Sequence, residues 1–233
     1  MPVRSFFRWL TQYNHILFNP ASELALPKME KRLPKHVLTA KEAEQVIGLP
    51  DVSTVTGIRD RAVLEVLYST GIRRSEPAHL GLYDLDAERG TLMVRQGKNK
   101  KDRMVPIGER AIAWCEKYRL EARPQLTVDP NDITLFLNRH GKPFTPKRLS
   151  ELVHQYVKDA AVGKEGSCHL FRHTMATLML ENGADIRYIQ HMLGHTDLST
   201  TQIYTQVSIE SLRAVHRKTH PATANNDAAE NEG

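Results

Sequence analysis

The sequence predicts a mainly helical protein with a small antiparallel β-hairpin, an α+β fold. Apolar segments bounded by capping residues predict the helices, and two apolar, β-branched-containing runs around a short polar loop predict the hairpin. The 233 residues are 40% hydrophobic, which is enough for a folded core.

The N-terminal part is predicted to be a helix followed by a linker. The pattern of residues 5–17 predicts an apolar-rich helix, and residues 20–34 are basic and contain three prolines. Proline-rich basic stretches of this kind are typical of domain joints, so we expect a boundary here.

Two helices are predicted next along the chain. Thr39 and Glu42 form the signature of a capping box, which predicts a helix at 40–47. The buried-looking helix at 59–69 is predicted to end at Gly71.

The predicted hairpin consists of two runs, 91–95 and 103–107, which flank a Gly-Lys-Asn loop. Lys98 would lie at the tip of this loop.

The remaining helices are predicted from their caps. One starts at Thr145-Pro146. A second contains His169, is preceded by Ser167 and is stopped by Gly183. The others are one at 185–193 closed by Gly194, one capped by Ser199, and one at 208–217 with Ile209, Leu212 and Val215 on one stripe.

Charge and cysteine content agree with an intracellular protein that binds DNA. The net charge is +5, and residues 222–233 contain acidic but no basic side chains, so the rest of the chain is more basic still. With no apolar signal core at the N-terminus, Cys115 and Cys168 are expected to be free thiols in a reducing cytoplasm. No apolar run approaches the roughly 18 residues of a membrane span.

Two arginines predict a phosphate site. The phosphodiester of a nucleic acid is negatively charged, and nucleophilic attack adds charge to its equatorial oxygens, so its cleavage needs fixed cations or a metal. Arg73 and Arg172 carry planar guanidinium groups that can clamp one phosphate bidentately. The pair can therefore replace a metal ion.

Tyr204 is the predicted nucleophile. A phenol with a pKa of about 10 is mostly neutral at pH 7, so it needs a base and an electropositive pocket. His169 is the candidate base. Lys98, with a pKa lowered by the arginines, is the candidate acid for the departing 5′ oxygen.

These residues lie in motifs that resemble those of the tyrosine recombinases of the phage-integrase group, and of the Xer type in particular. The family shows T-G-L-R-x-S-E-L where residues 70–76 read T-G-I-R-R-S-E, which places its first arginine at Arg73. Its G-K-G-N-K-x-R pattern is matched by G-K-N-K-K-D-R at 97–103, so Lys98 takes the role of the hairpin lysine.

The second half of the chain carries the other motifs. The family's H-x-L-R-H motif matches H-L-F-R-H, which begins at His169 and contains Arg172. The L-G-H turn ends at His195, and the tyrosine follows nine residues later at Tyr204. Each motif alone is weak, but their order and spacing together are specific.

The resemblance implies a recombinase that forms a covalent 3′-phosphotyrosyl link through Tyr204 and releases a 5′-hydroxyl. The two arginines and His195 would stabilise charge, His169 would act as base and then acid, and Lys98 would protonate the leaving oxygen. The implied partners are double-stranded DNA with a specific recombination site and further protomers, which form a tetramer on two duplexes. No cofactor, metal or ATP is expected.

The resemblance also implies a domain organisation. We expect residues 1–19 to be the last helix of an N-terminal DNA-binding domain, 20–35 a linker, 36–221 the catalytic domain, and 222–233 a disordered tail.

Two other functions remain open from the sequence. His169 with His173 and His191 with His195 have a helical spacing that suits zinc, which would indicate a zinc-dependent hydrolase, but neither pair contains the glutamate of H-E-x-x-H. A DNA-binding regulator or an inactive recombinase remnant would share the basic body and need no nucleophile.

Overall fold

The computed structural model describes residues 2–22, 37–95, 102–194 and 209–221. The chain forms two compact units, Met1–Lys35 and His36–Gly233. Lys98, His195 and Tyr204 lie outside the described residues.

The described residues are mostly helical, with one small sheet. The helices are α1 (Pro2–Gln12), α2 (Ala40–Gly48), α3 (Val55–Thr70), α4 (Glu109–Lys117), α5 (Arg123–Leu126), α6 (Pro146–Asp159), α7 (Cys168–Glu181), α8 (Ile186–Leu193) and α9 (Ile209–Thr219), and the strands are β1 (Leu85–Asp86), β2 (Thr91–Val94) and β3 (Arg103–Pro106). The predicted fold class is confirmed.

The first unit contains α1, which differs from the helix predicted at 5–17. It begins at Pro2, since a proline fits the first turn, where its missing N–H is not needed. It ends at Gln12, and Asn14 has a φ of 58°, which is outside the right-handed helical region. The Arg4 side chain donates a hydrogen bond to the carbonyl of Ala21 at 3.0 Å.

The second unit is built around α3. All residues of this helix from Gly57 to Thr70 except Arg61 are buried, as expected of a helix enclosed by others. The helix starts at Val55, earlier than predicted, because Thr54 caps it by accepting a hydrogen bond from the N–H of Gly57. Its predicted end is confirmed, with Gly71 as the left-handed cap.

The predicted hairpin is confirmed as β2 and β3, which pair antiparallel with Val94 opposite Arg103. β1 adds a third strand, on the other edge of β2, that the sequence pattern did not predict. The strand is two residues long, too short for any periodicity to show.

Caps found in the sequence hold several other helices in place. The Thr39–Glu42 capping box begins α2, Thr145 caps α6, and Asp185 caps α8. Helices α4 and α5 had no predicted counterpart. The residue before α4, Gly108, provides no side-chain cap, so the usual start signal is missing.

Neither cysteine is part of a disulfide. Cys115 and Cys168 are both free thiols, as predicted, and both are buried. Among the residues that are described, no helix has the length and apolar character needed to cross a membrane.

Candidate active site

Arg73 lies three residues after the last residue of α3, beyond a left-handed glycine cap. Gly71 closes the helix with a φ of 59°, and its N–H donates to the carbonyl of Leu67 at 3.0 Å. A Cβ at this position would lie 2.2 Å from the methyl carbon of Met175. Both the backbone conformation and the packing therefore favour glycine, and the chain leaves α3 directly into Arg73.

Arg172 lies on α7 and connects two motifs that are distant in sequence. Its guanidinium donates from Nη1 to the carbonyl of Gly71 at 2.6 Å and from Nη2 to the carbonyl of Leu193 at 2.7 Å. The residue is only 7% exposed. Arg172 thereby holds the end of α3 next to the end of α8.

Three successive backbone carbonyls at the C-terminal end of α8 each accept a hydrogen bond from a different arginine. Arg73 Nη2 donates to the carbonyl of Gly194 at 2.5 Å, and Arg103 Nε donates to that of Met192 at 3.2 Å. Leu193, between them, accepts from Arg172. Cations are favourable here because the C-terminal carbonyls of a helix carry partial negative charge.

The carboxylate of Glu76 links two of these arginines. Arg103 binds it with both terminal nitrogens, each at 2.8 Å, and Arg73 donates to it from Nη1 at 3.1 Å and from its backbone N–H at 2.7 Å. Burial alone would raise the pKa of Glu76, but the hydrogen bonds and charges of Arg103 and then Arg73 hold that pKa below its ordinary value.

The cluster keeps an excess of positive charge. Arg73 and Arg103 pair with the carboxylate of Glu76, and the charge of that carboxylate also acts on Arg172. Burial, together with the charges of Arg73 and Arg103, lowers the pKa of Arg172 to about 10, so the guanidinium is still charged at neutral pH. A pocket with more cations than anions suits a phosphate group, whose charge would compensate the excess.

His169 lies on α7 one turn before Arg172 and is exposed. Burial of part of the ring, and then the charges of Arg172 and Arg74, lower its pKa. The imidazole is therefore neutral at physiological pH, which is the form that a general base requires.

The structure thus brings together Arg73 and Arg172 and places His169 on the same helix as the latter. Lys98, His195 and Tyr204 fall outside the described residues, and their roles stay predictions. Two described neighbours bear on their position: Arg103, at the foot of the hairpin loop, and Gly194, immediately before His195, both belong to the arginine cluster.

Glu76 and Arg103 were not predicted as site residues. Both stand in the quoted motifs, Glu76 as the last residue of T-G-I-R-R-S-E and Arg103 as the last of the lysine-loop pattern. Arg73 and Glu76 are the first and last residues of a tight turn, in which the N–H of Glu76 donates to the carbonyl of Arg73 at 2.8 Å, so their three-residue spacing was a usable signal. Nothing local in the sequence pairs Arg103 with either of them.

For the zinc hypothesis, the described part of the chain contains no group of three or more histidine, cysteine, aspartate and glutamate residues close enough to hold a metal ion. The pairs at 169/173 and 191/195 each supply two histidines at most, and His195 is outside the described residues.

Comparisons with known proteins agree with these motifs. Residues 36–211 match the model of the Phage integrase family. The chain is 53% identical over 221 residues to tyrosine recombinase XerC 2 of Ralstonia nicotianae. The aligned region covers 95% of this chain and 63% of that protein. The chain thus spans less than two thirds of the length of this relative.

Solved structures show the same fold. The crystal structure of XerA recombinase superposes with a TM-score of 0.62 at 28% identity, over 94% of this chain and 74% of that one. The XerH site-specific recombinase bound to its difH substrate, in a pre-cleavage complex, gives a TM-score of 0.60 at 26% identity, over 85% of this chain and 53% of that one.

Proposed function

Because the chain belongs to the phage integrase family, we propose that it is a tyrosine recombinase, which cuts and rejoins DNA strands at a specific site without a metal ion. The observation that carries the proposal is the cluster of Arg73, Arg103 and Arg172 around Glu76, which unites three motifs and keeps a positive charge suited to phosphate. The relative from Ralstonia, itself a tyrosine recombinase, supports it.

In the proposed reaction, the hydroxyl oxygen of Tyr204 forms a bond to the scissile phosphorus while the bond from phosphorus to the 5′ oxygen breaks. His169 accepts the phenolic proton, and Lys98 donates a proton to the departing oxygen. The arginines and His195 stabilise the charge on the equatorial oxygens. The product is a 3′-phosphotyrosyl enzyme and a free 5′-hydroxyl.

The phosphotyrosyl link preserves the energy of the ester. A 5′-hydroxyl from a second duplex can therefore attack it and reseal the strand, with no need for ATP. The XerH structure contains a DNA substrate, which supports duplex DNA as the partner of this chain. We further propose that several protomers assemble on the DNA and that the reaction takes place in the cytoplasm.

A suicide substrate tests the proposal. Duplex DNA that carries a candidate recombination site and a nick next to the scissile phosphate loses its cleaved fragment by diffusion, which traps the covalent complex. Wild-type protein is expected to give an adduct on a denaturing gel, and Tyr204→Phe is expected to bind the DNA without forming it. Tyr83→Phe, at a tyrosine that is 82% exposed, is the matched control and should behave as wild type.

The outcome separates the alternatives. An adduct in Tyr204→Phe would show that the nucleophile is wrongly assigned. Binding without an adduct in the wild-type protein, on any site tested, would favour the DNA-binding regulator instead.

A further inference from the structure

Two buried histidines, one on α9 and one immediately after its last residue, belong to neither the motifs nor the proposed reaction. His216 and His220 are 3% and 1% exposed, and their rings stack with centroids 4.7 Å apart at an angle of 15°. The N–H of His220 donates to the carbonyl of His216 at 2.8 Å, so the helical turn continues and places both rings on the same face. Stacked, fully buried histidines need hydrogen-bond partners, because an unpaired buried polar group is costly.

Both rings bond to backbone carbonyls in the last turn of α3. His216 Nε2 lies 2.8 Å from the carbonyl oxygen of Ser69, and His220 Nε2 lies 2.9 Å from that of Tyr68. A carbonyl only accepts, so each ring carries its hydrogen on Nε2 and donates it. The final carbonyls of a helix have no partner within the helix, and here the two histidines supply one.

The turn that they hold leads directly to Arg73. Ser69 is fixed from a second side by its hydroxyl, which accepts from the N–H of Gly108 at 2.8 Å. Two residues later, the carbonyl of Gly71 accepts from Arg172. The backbone that enters the arginine cluster is therefore held by α9 just before it reaches Arg73.

Docking of α9 also bears on the nucleophile. Tyr204 lies in sequence between Gly194, whose carbonyl binds Arg73, and α9. Besides the two histidines, α9 is held by Asn182, the residue after α7, whose side chain donates to the carbonyl of Thr219 at 2.8 Å. Both described ends of the segment that carries Tyr204 are thus anchored on the arginine cluster and on α3.

We propose that His216 and His220 are positioning residues: as a neutral pair of hydrogen-bond donors, they dock α9 on the end of α3 and so fix the turn that leads to Arg73. The role of Arg73 rests on the proposed function, whereas the docking does not.

The surroundings of the pair favour the neutral rings. Burial lowers the pKa of His216 to about 4, and burial followed by the charge of His216 holds the pKa of His220 well below its ordinary value. Arg110 adds repulsion, and its guanidinium is already bonded to Glu44 and Glu65. The titratable and charged groups around the pair are Tyr68 on α3, Glu88 before β2, Glu109 and Arg110 on α4, and Arg213 and Arg217 on α9.

The sign of the pH effect follows from these shifts. A released α9 would take up protons near 6.5, the ordinary value, whereas docked His216 stays neutral until the pH is near 4 and the pKa of docked His220 is likewise held well below its ordinary value. Docking is therefore complete above pH 6.5 and weakens as the pH falls from 6.5 towards 4.

Two double variants separate donation from packing. His216→Gln with His220→Gln keeps a side-chain N–H donor at a similar distance from the backbone but does not titrate. His216→Phe with His220→Phe keeps a ring but has no donor. Lys218→Gln, at an exposed position of the same helix, is the control.

The amide hydrogen-exchange rate of the DNA-free protein, measured on peptides that cover α9 and residues 66–75, reports directly on the docking. At pH 7.5 we expect the Phe pair to exchange about tenfold faster or more than wild type in both peptides, as for the loss of two hydrogen bonds. The Gln pair and the control should stay close to wild type. After correction for intrinsic rates, wild type should exchange faster at pH 5.5 than at 7.5, and the Gln pair should not.

Adduct formation on the suicide substrate at pH 7.5 is the second measurement. We expect it to fall about tenfold in the Phe pair and to recover in the Gln pair. The proposal would be overturned if the Phe pair exchanged at the wild-type rate, or if the Gln pair showed the same pH effect as wild type. It would also be overturned if the Phe pair exchanged faster but still formed the adduct at the wild-type rate. If the wild type itself forms no adduct, the proposed function fails, and the exchange data still decide the docking.

Discussion

Arg103 binds both oxygens of the Glu76 carboxylate, each at 2.8 Å, across 27 residues of sequence. This pair joins the strand at the foot of the lysine loop to the turn that follows α3. The same carboxylate receives Arg73, so one buried anion sets the position of two guanidinium groups. Its negative charge offsets only part of the positive charge of the cluster, and the excess remains available for a phosphate.

Glu76→Gln is expected to destabilise the protein. The side chain of Glu76 is 4% exposed, and removing its charge leaves Arg73 and Arg103 without their shared partner. We expect the free energy of unfolding in urea to fall by about 3–5 kcal/mol. Asp86→Asn, which breaks the exposed pair with Arg89, should cost less than about 1 kcal/mol. Equal losses in the two variants would contradict the role given to Glu76.

Arg172→Lys is expected to slow cleavage with little effect on DNA binding. Lysine keeps the charge, but a single ammonium cannot reach the carbonyls of Gly71 and Leu193 together or present a planar fork to phosphate. We expect the single-turnover rate of adduct formation to fall by roughly 10²-fold. Arg119→Lys, in an exposed pair with Glu116, should keep the wild-type rate. A loss in Arg172→Lys no greater than in this control would remove Arg172 from the site.

Much of the fold was readable from the sequence, because its signals are local. The capping box of Thr39, the left-handed glycine after α3 and the cap at Thr145 each fix one helix end through neighbouring residues. The elements that were missed lack such local signals. β1 is too short to show a period, and α4 lacks a capping side chain.

The same distinction applies to the site. The motifs predicted Arg73, Arg172 and His169, because arginine is a typical phosphate-binding residue and histidine a typical general base. The acceptors of the arginines are backbone carbonyls, which any residue could supply, so no motif reveals them. Likewise, the apolar stripe predicted for the last helix includes Val215, but the most buried of the side chains described from residue 213 onward are His216 and His220, which bond to α3. A histidine in a helical pattern does not show whether it is buried.

Cleavage is expected to proceed in excess EDTA. Guanidinium groups, which stay protonated at neutral pH, compensate the negative charge of the phosphate, so the reaction needs no divalent ion. The rate of adduct formation with and without EDTA checks this, together with metal analysis of the purified protein. Zinc near one per chain and loss of cleavage on chelation would instead support the hydrolase hypothesis.

Binding of DNA is expected to weaken steeply with salt. Each phosphate that the protein neutralises contributes about 0.9 to the slope of log affinity against log salt concentration. Arg73→Gln should lower the slope by about that amount on a cognate site, whereas Arg119→Gln, away from the cluster, should leave it unchanged. Fluorescence anisotropy at several salt concentrations measures the slopes. An unaltered slope in Arg73→Gln would show that this side chain does not contact phosphate.

Gly194→Ala tests whether the end of α8 supports the cluster. Gly194 has a φ of 62°, and a Cβ there would lie 2.9 Å from Arg103 Nε. Gly163 has a similar φ of 68° but nothing within 4 Å of an added Cβ. Gly163→Ala should therefore lose only the roughly 1–2 kcal/mol of the left-handed conformation. Gly194→Ala should lose more than this control in urea, since the added methyl group displaces Arg103.

The two glycine variants also separate stability from catalysis. Displacing Arg103 disturbs Glu76 and, through it, Arg73, whose guanidinium also binds the carbonyl of Gly194. We therefore expect Gly194→Ala to slow adduct formation at a temperature where both variants are fully folded, while Gly163→Ala keeps the wild-type rate. Equal rates in the two folded variants would mean that the contact between α8 and the arginines does not position the proposed catalytic groups.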